Sequence, residues 1–446
     1  MVARARAVAF QILLDVSGTD AHSDELLRSR KVDALTTQDR ALTTTLVLGT
    51  LRWQIKLDEE IRSLLSRPDA KLPLAVEAAL RLGAFQLLHL DRIPAYAAIG
   101  ESVELTKKAG ETHAARMVNA VLRKLPNLPR TSENSEPRSP REIAEASAHP
   151  VWMVERWSRF YGAQTAAAIC RFDQEPTPIT IRLLDPAAES DLVAEGIQLE
   201  PGEFLTSARR VVSGDIVRTE TFRQGRIRIQ DEGSQLVAEL AGSGMKILDT
   251  CAAPGGKTAI LAERNPEAAI TAWDISKRRL EAMRGALVSI GDRIKFEVHD
   301  AAQAKLKPEY DLVLCDVPCT GSGTIARNPE IRFRIDEQEI ARQQERQIKI
   351  LTSSLAGLAP GGRLLYSTCS LELEENEAVI SAVLKANPEF TTLPIDTEID
   401  MLASRGILTA KGAACLTASA IKDGFLRTIP GIHHCDGFFA ALLTRN

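Results

Sequence analysis

The sequence predicts a multidomain protein: an all-α bundle in front, a small α/β subdomain, and an α/β domain built on a mainly parallel sheet. Three observations carry this. Apolar residues recur at helical spacing through the first 130 residues, and strands alternate with helices from about residue 236 to 387. Between these regions lies a stretch rich in Ser, Pro and charge, the composition of a linker. The expected domains are therefore 1–130, a linker over 131–149, 150–235 and 236–446. A chain of 446 residues at 44% hydrophobic is long enough for several cores.

In the front, helical spacing is seen in Val8-Ile12-Val16, Leu42-Leu46-Leu51 and Val76-Leu80-Phe85-Leu88, with Gly18, Pro68, Pro73, Pro94 and Gly110 as breakers. His22, His89 and His113 stand alone and form no catalytic group. Residues 1–130 carry 19 Lys+Arg against 15 Asp+Glu and the remainder 36 against 44, a basic front on an acidic body that permits a polyanionic partner. Arg4, Arg6, Arg40, Arg52, Arg81, Arg116, Arg123 and Lys124 are its candidate contacts.

From Pro150 a helix with Trp152 and Trp157 is expected to reach Arg171, followed by strands at Ile179–Leu184, Arg210–Val217 and 225–229. Arg182, Arg218, Arg226 and Arg228 on those strands suit either a nucleic-acid backbone or a solvated face. Seven scattered cysteines without a CxxC pair suit a reducing cytoplasm rather than a disulfide framework. No targeting signal or membrane span is read, because Gln11 and Asp15 interrupt the first apolar stretch. His433-His434-Cys435 is not read as a metal site, since adjacent residues rarely point at one ion.

In the third region the expected strands are Ile247–Cys251, Ala269–Ile275, Lys295–Asp300, Tyr310–Asp316 and Arg363–Thr368. Their ends carry Asp249, Cys251, Asp274, Asp300, Asp316 and Cys369, and ligands of open α/β sheets bind outside those carboxyl ends. The stretch Lys246–Thr258, KILDTCAAPGGKT, reads as strand, glycine turn and helix start. Its Gly256-Lys257-Thr258 matches the end of a phosphate-binding P-loop, but that motif needs glycine where Cys251 stands. Asp274 ends the next strand at the distance where an acid bonds ribose hydroxyls, which favours an adenosyl ligand over a triphosphate.

Cys319 in Asp316–Gly323 (DVPCTGSG) and Cys369 in Tyr366–Ser370 (YSTCS) sit on polar loops just past strands, where packing alone gives little reason for a thiol. Cys170, Cys315 and Cys415 read as small apolar residues. Thiols, an acid and an adenosyl ligand together suit methylation of cytosine carbon 5. A thiolate adding to carbon 6 makes carbon 5 nucleophilic.

These residues resemble the RsmB (Sun/Fmu) family of RNA cytosine-5 methyltransferases. The resemblance rests on DTCAAPGGKT (249–258), WDIS (273–276), DVPCTGSG (316–323), YSTCS (366–370) and DGFFAALL (436–443). LVLGTLRW (46–53), the stretch 81–107 and VNAVLRKL (118–125) resemble the NusB-like RNA-binding domain of that family. The resemblance implies a Rossmann-like methyltransferase domain, an RNA-contacting subdomain at 150–235, S-adenosylmethionine as cofactor, and small-subunit ribosomal RNA as substrate of a cytoplasmic monomer. By it, Cys251, Ala252, Ala253, Pro254, Gly255, Gly256 and Lys257 would hold the cofactor, Asp274 its ribose and Asp300 its adenine side. Asp316 would touch both the cofactor's methionine end and the base, Cys369 would be the nucleophile, and Cys319 would assist release. Val317, Thr320 and Phe333 depart from the family's commonest residues. The rival readings are a P-loop NTPase and a catalytically idle RNA-binding assembly factor.

Overall fold

The helical spacing of the front becomes the helices Arg4–Gly18, Thr37–Leu64, Leu74–His89, Ala95–Lys108 and Ala115–Lys124 in a computed structural model that describes residues 2–128, 139–288 and 290–446. Thr36 caps the longest of them by accepting the Asp39 N–H. Leu46, Leu51, Leu80, Leu82 and Leu122 fill the core. Helices Thr37–Leu64 and Leu74–His89 approach closely at Gly49, where a Cβ would lie 2.0 Å from the Phe85 ring.

Three of the basic residues grouped above are buried here. Arg6 bonds Gln86 and Glu101, Arg81 forks onto Asp58, and Arg52 bonds the Ala326 carbonyl. Arg116, Arg123 and Lys124 remain exposed on the Ala115–Lys124 helix.

Of the stretch expected as linker, 131–138 lies outside the described residues. The rest begins with a helix, Pro140–Ala146, whose Ser139 and Glu142 form a reciprocal capping box. The helix expected to run to Arg171 is two, Val151–Tyr161 and Ala163–Gln174, broken at Gly162 with φ +85°. Both belong to the first compact unit, residues 1–176 with 325–334. In that unit Glu330 accepts from the Ser23 N–H and hydroxyl, and Arg332 donates to the carbonyls of Arg52 and Ala148. Arg334 donates to the carbonyls of Val16 and Ala21.

The second unit comprises residues 177–324 and 335–446. Its small antiparallel sheet runs β2-β3-β1-β4, from β1 (Ile179–Leu183), β2 (Gln198–Pro201), β3 (Ala208–Ser213) and β4 (Ile227–Ile229). Strand β2 escapes the sequence pattern because it is a short, largely exposed edge. The expected Arg210–Val217 strand ends early: Gly214 turns at φ +106° and Ile216–Arg218 forms a 3-10 turn. The arginines do not form one free face. Arg182 is buried on Glu239 and Glu263, Arg228 pairs with Glu263, Arg226 with Asp185 and Asp191, and Arg218 with Asp215.

The large sheet begins with five parallel strands: β5 (Lys246–Asp249), β6 (Ala269–Asp274), β7 (Ile294–Val298), β8 (Tyr310–Asp316) and β9 (Leu358–Thr368). β10 (Phe390–Leu393), β11 (Ile421–Lys422), β12 (Phe425–Thr428) and β13 (Phe438–Arg445) join antiparallel, giving the order β11-β12-β13-β9-β8-β5-β6-β7 with β10 also on β13. Side chains alternate between two cores, as strand geometry requires. Ile247, Leu312 and Leu314 join Leu236 and Leu240 on one face, and Leu248, Val313 and Cys315 join Ile350 and Leu351 on the other.

Gly49→Ala is expected to destabilise the helical unit by about 1–3 kcal/mol through overpacking against Phe85. Urea denaturation followed by helical circular dichroism measures this, and an unchanged midpoint would remove the close-packing account of that glycine.

Candidate active site

Strand β5 lies between β6 and β8, so the chains leaving β5 and β8 part at their carboxyl ends and leave a crevice there. After β5 the Ala252 N–H bonds the Trp273 carbonyl at 2.7 Å, tying the turn to β6. Gly255, at φ +105°, caps the Gly256–Arg264 helix, and a Cβ on it would come 2.7 Å from Met283. Asp249 is buried beneath this turn and accepts the Thr258 hydroxyl at 2.6 Å.

The crevice holds a cavity of about 280 Å³ lined in part by Cys251, Ala253, Asp274, Asp300, Asp316 and Arg346. Asp274 accepts from the N–H groups of Ser276 (2.8 Å) and Ala253 (3.3 Å), with Arg279 at 3.5 Å. Asp300 accepts from the Ala302 N–H and the Gln303 amide. Ala252, Pro254, Gly255, Gly256 and Lys257 do not line the cavity; they shape the turn around it. A larger groove of about 760 Å³, lined in part by Gly242, Arg264, Asp311 and Arg405, contains none of the predicted residues. Size alone therefore does not mark the site.

Three carboxylates facing one cavity suit a cationic ligand that carries hydroxyls, as S-adenosylmethionine does. They suit a triphosphate poorly. Lys257, which a P-loop would direct at phosphates, instead meets Asp316 at 2.7 Å and lies over the Phe438 ring. Burial lowers the Lys257 pKa, but the charge and hydrogen bond of Asp316 outweigh it and the net shift is upward, so the ammonium persists.

Beside this pair the Cys319 and Cys369 sulfurs stand 3.4 Å apart, although 50 residues separate them. Parallel pairing sets Asp316 opposite Ser367, whose hydroxyl donates to the Asp316 carboxylate at 2.6 Å, and the two cysteine loops leave the sheet as neighbours. Gly323 donates to the Cys369 carbonyl at 2.9 Å, and a Cβ on it would lie 2.3 Å from the Gly437 carbonyl oxygen. The Cys369 hydrogen bond and burial push the Cys319 thiol well up, which keeps it neutral. Sequence reasoning missed Ser367, Arg279, Arg346, Gln347 and Glu375. Ser367 lies within the YSTCS motif and Glu375 five residues past it, but Arg279, Arg346 and Gln347 lie on helices whose pattern gives no sign of the site.

Burial, opposed by the Thr258 hydrogen bond, raises the Asp249 carboxyl to about 7. Its stabilising contribution is thus complete below the unfolded value of about 4 and is lost as pH rises through about 7. Asp249→Asn should abolish this slope, gaining on the order of 2–4 kcal/mol relative to the parent between pH 4 and 8. Urea midpoints across that range measure it, and parallel profiles for the two proteins would refute the assignment.

Residues 240–444 match the family described as 16S rRNA methyltransferase RsmB/F, and residues 3–127 match the NusB family. The chain is 32% identical to a probable ribosomal RNA small subunit methyltransferase B of Bacillus subtilis (strain 168), over 97% of each chain. It is 30% identical to the protein of that description in Synechocystis, over 99% of each. A solved methyltransferase homolog from Pyrococcus horikoshii superposes with a TM-score of 0.55 at 26% identity, covering 69% of this chain and all of the other. By near-full-length similarity at this level, the chain belongs to the ribosomal RNA small subunit methyltransferase B family.

Proposed function

We propose that the protein methylates carbon 5 of a cytosine in RNA, with small-subunit ribosomal RNA as substrate, through a covalent cysteine–carbon 6 adduct. The observation that carries this reading is the pair of loop thiols, 3.4 Å apart, beside the Lys257–Asp316 ion pair, whose carboxylate lines an acid-rich cavity. When bound, S-adenosylmethionine supplies the methyl group. The turn Cys251–Lys257 shapes its pocket, Asp274 takes its ribose and Asp300 its adenine side.

Cys369 adds to carbon 6 of the base, while Asp316 holds the side of ring nitrogen 3. After methylation, loss of the carbon 5 proton re-forms the ring double bond and breaks the carbon–sulfur bond. Cys319, kept as a neutral thiol 3.4 Å from Cys369, hands its proton to the departing Cys369 sulfur and takes the carbon 5 proton in exchange, so that both thiols end protonated. The exposed Arg116, Arg123 and Lys124 offer the NusB-like unit's contacts to phosphates. No helix among the described residues is long and apolar enough to cross a membrane. We take the enzyme to act in the cytoplasm as a monomer.

Cys369→Ala and Cys319→Ala should both lose activity but fail differently. Without Cys369 no adduct forms. Without Cys319 the methylated RNA should stay attached, giving a protein–RNA band on denaturing gels when S-adenosylmethionine is present. A stable band from Cys369→Ala alone would reverse the two roles, and full activity of both variants would refute thiol catalysis.

Asp274→Ala should weaken S-adenosylmethionine binding about tenfold or more, since charge-assisted bonds to hydroxyls are worth about 1.5–3 kcal/mol each. Calorimetry decides it, and unchanged affinity would sink the cofactor assignment.

A further inference from the structure

Each of the two cysteines is followed in the chain by a hydroxyl residue, Thr320 after Cys319 and Ser370 after Cys369. Both hydroxyls bond the same carboxylate. Glu375, 0% exposed, takes the Thr320 N–H at 2.9 Å on Oε1 and the hydroxyls of Thr320 and Ser370 on Oε2. Gln347, from the Glu337–Ala356 helix, donates to Oε1 at 2.9 Å and to the Pro318 carbonyl at 3.0 Å. Thr320 and Ser370 stand 3.2 Å apart, hydroxyl to hydroxyl. Four donors converge on two oxygens, the full acceptor capacity of an ionised carboxylate.

We propose that Glu375 is a positioning residue for the methyl transfer proposed above. It clasps the loop after β8 to the loop after β9 and thereby holds the Cys319 and Cys369 sulfurs within contact. It touches neither thiol. The sheet brings the loops to the same edge, but no strand hydrogen bond extends to residues 319 or 369. Beyond the strands, Glu375, the Gly323–Cys369 backbone bond and the Ser322 hydroxyl, which accepts the Leu371 N–H at 2.9 Å, cross from one loop to the other; of these, Glu375 alone bonds the residues directly after both cysteines. Burial raises the Glu375 carboxyl, against the downward pull of its hydrogen bonds, in line with a group placed for its bonds rather than for solvent.

The test uses the full chain and reads loop geometry separately from methylation. Diamide oxidises two adjacent thiols to a disulfide, itself taking up both hydrogens as the hydrazine. The rate of Cys319–Cys369 linkage, mapped by mass spectrometry of the digested protein, therefore reports how often the sulfurs meet. In Glu375→Ala this linkage should slow about tenfold, and single-turnover RNA methylation should fall about 100-fold, the scale of a misplacement near 1 Å. S-adenosylmethionine affinity should stay unchanged, because Asp274 and Asp300 are untouched.

Glu375→Gln keeps the length and one acceptor oxygen, and the two hydroxyls can rotate to receive its amide. It should hold both rates within about fivefold of the parent. Thr320→Val, which removes one bond and preserves shape, should slow both rates to an intermediate degree, and it decides the matter should Glu375→Ala fail to fold. Parental linkage rates in Glu375→Ala, whatever its activity, would overturn the clasp. So would parental rates in Thr320→Val if Glu375→Ala does not fold. Should the parent protein prove unable to methylate RNA, the function proposed above fails while the linkage rates still judge Glu375.

Discussion

The pairing of β8 with β9 is the constraint on which the candidate site depends. Its register sets Asp316 opposite Ser367, so the chains that follow leave the sheet side by side. Cys319 lies three residues past Asp316 and Cys369 two past Ser367, which makes a 3.4 Å approach of their sulfurs a matter of two short loops. A slip of one residue would turn Ser367 away from Asp316 and exchange Leu364 and Leu365 between the two cores. Burial of both sheet faces thus protects the register that the chemistry requires. The glycine at 323 and the carboxylate at 375 complete the approach beyond the strands.

Charge is buried in this unit only where it is partnered. Glu239, with its side chain fully buried, receives Arg182 from β1 and both ends of the Arg264 guanidinium. Arg182 and Arg228 also meet Glu263, so the small sheet is tied to the α/β body by ion pairs. The arginines that alternate along those strands are thereby largely committed to structure. Lys257 and Asp316 follow the same logic beside the cavity, each compensating the other's charge where both side chains are largely covered.

The helical unit has its own buried polar centre. His149 and Asp173 meet at 3.2 Å with their side chains almost wholly enclosed, and burial keeps the imidazole neutral while raising the Asp173 carboxyl to about 7. Arg52 and Arg332 supply positive charge nearby; burial and the neighbouring Arg332 lower the Arg52 guanidinium to about 10, and burial lowers that of Arg332 to about 10 against the pull of Asp173. Arg332 belongs to 325–334, a stretch that begins two residues past Gly323, the end of the DVPCTGSG loop. Its place among the helices could not be read from local sequence, because nothing in RNPEIRF (327–333) separates a surface turn from a segment held by buried carbonyls.

Elements with a strong local signature were legible in the sequence. The five parallel strands were placed to within a few residues, since runs such as Leu312–Leu314 bury both faces and end in acids. The turn at Gly255, the breakers of the helical front and the two unusual thiols were equally visible, each resting on a residue type with few other uses. The tertiary structure alone decided the rest. Short edges such as β2 carry little apolar pattern, and the break at Gly162 depends on a backbone angle rather than on composition. Exposure of Arg6, Arg81 and Arg182 was settled by carboxylates distant in the chain, because an ion pair is defined by position in space and leaves no periodicity behind. Glu375 is the plainest case. In the sequence it is one acid among several in ELEENE, and only folding gathers four donors around its two oxygens.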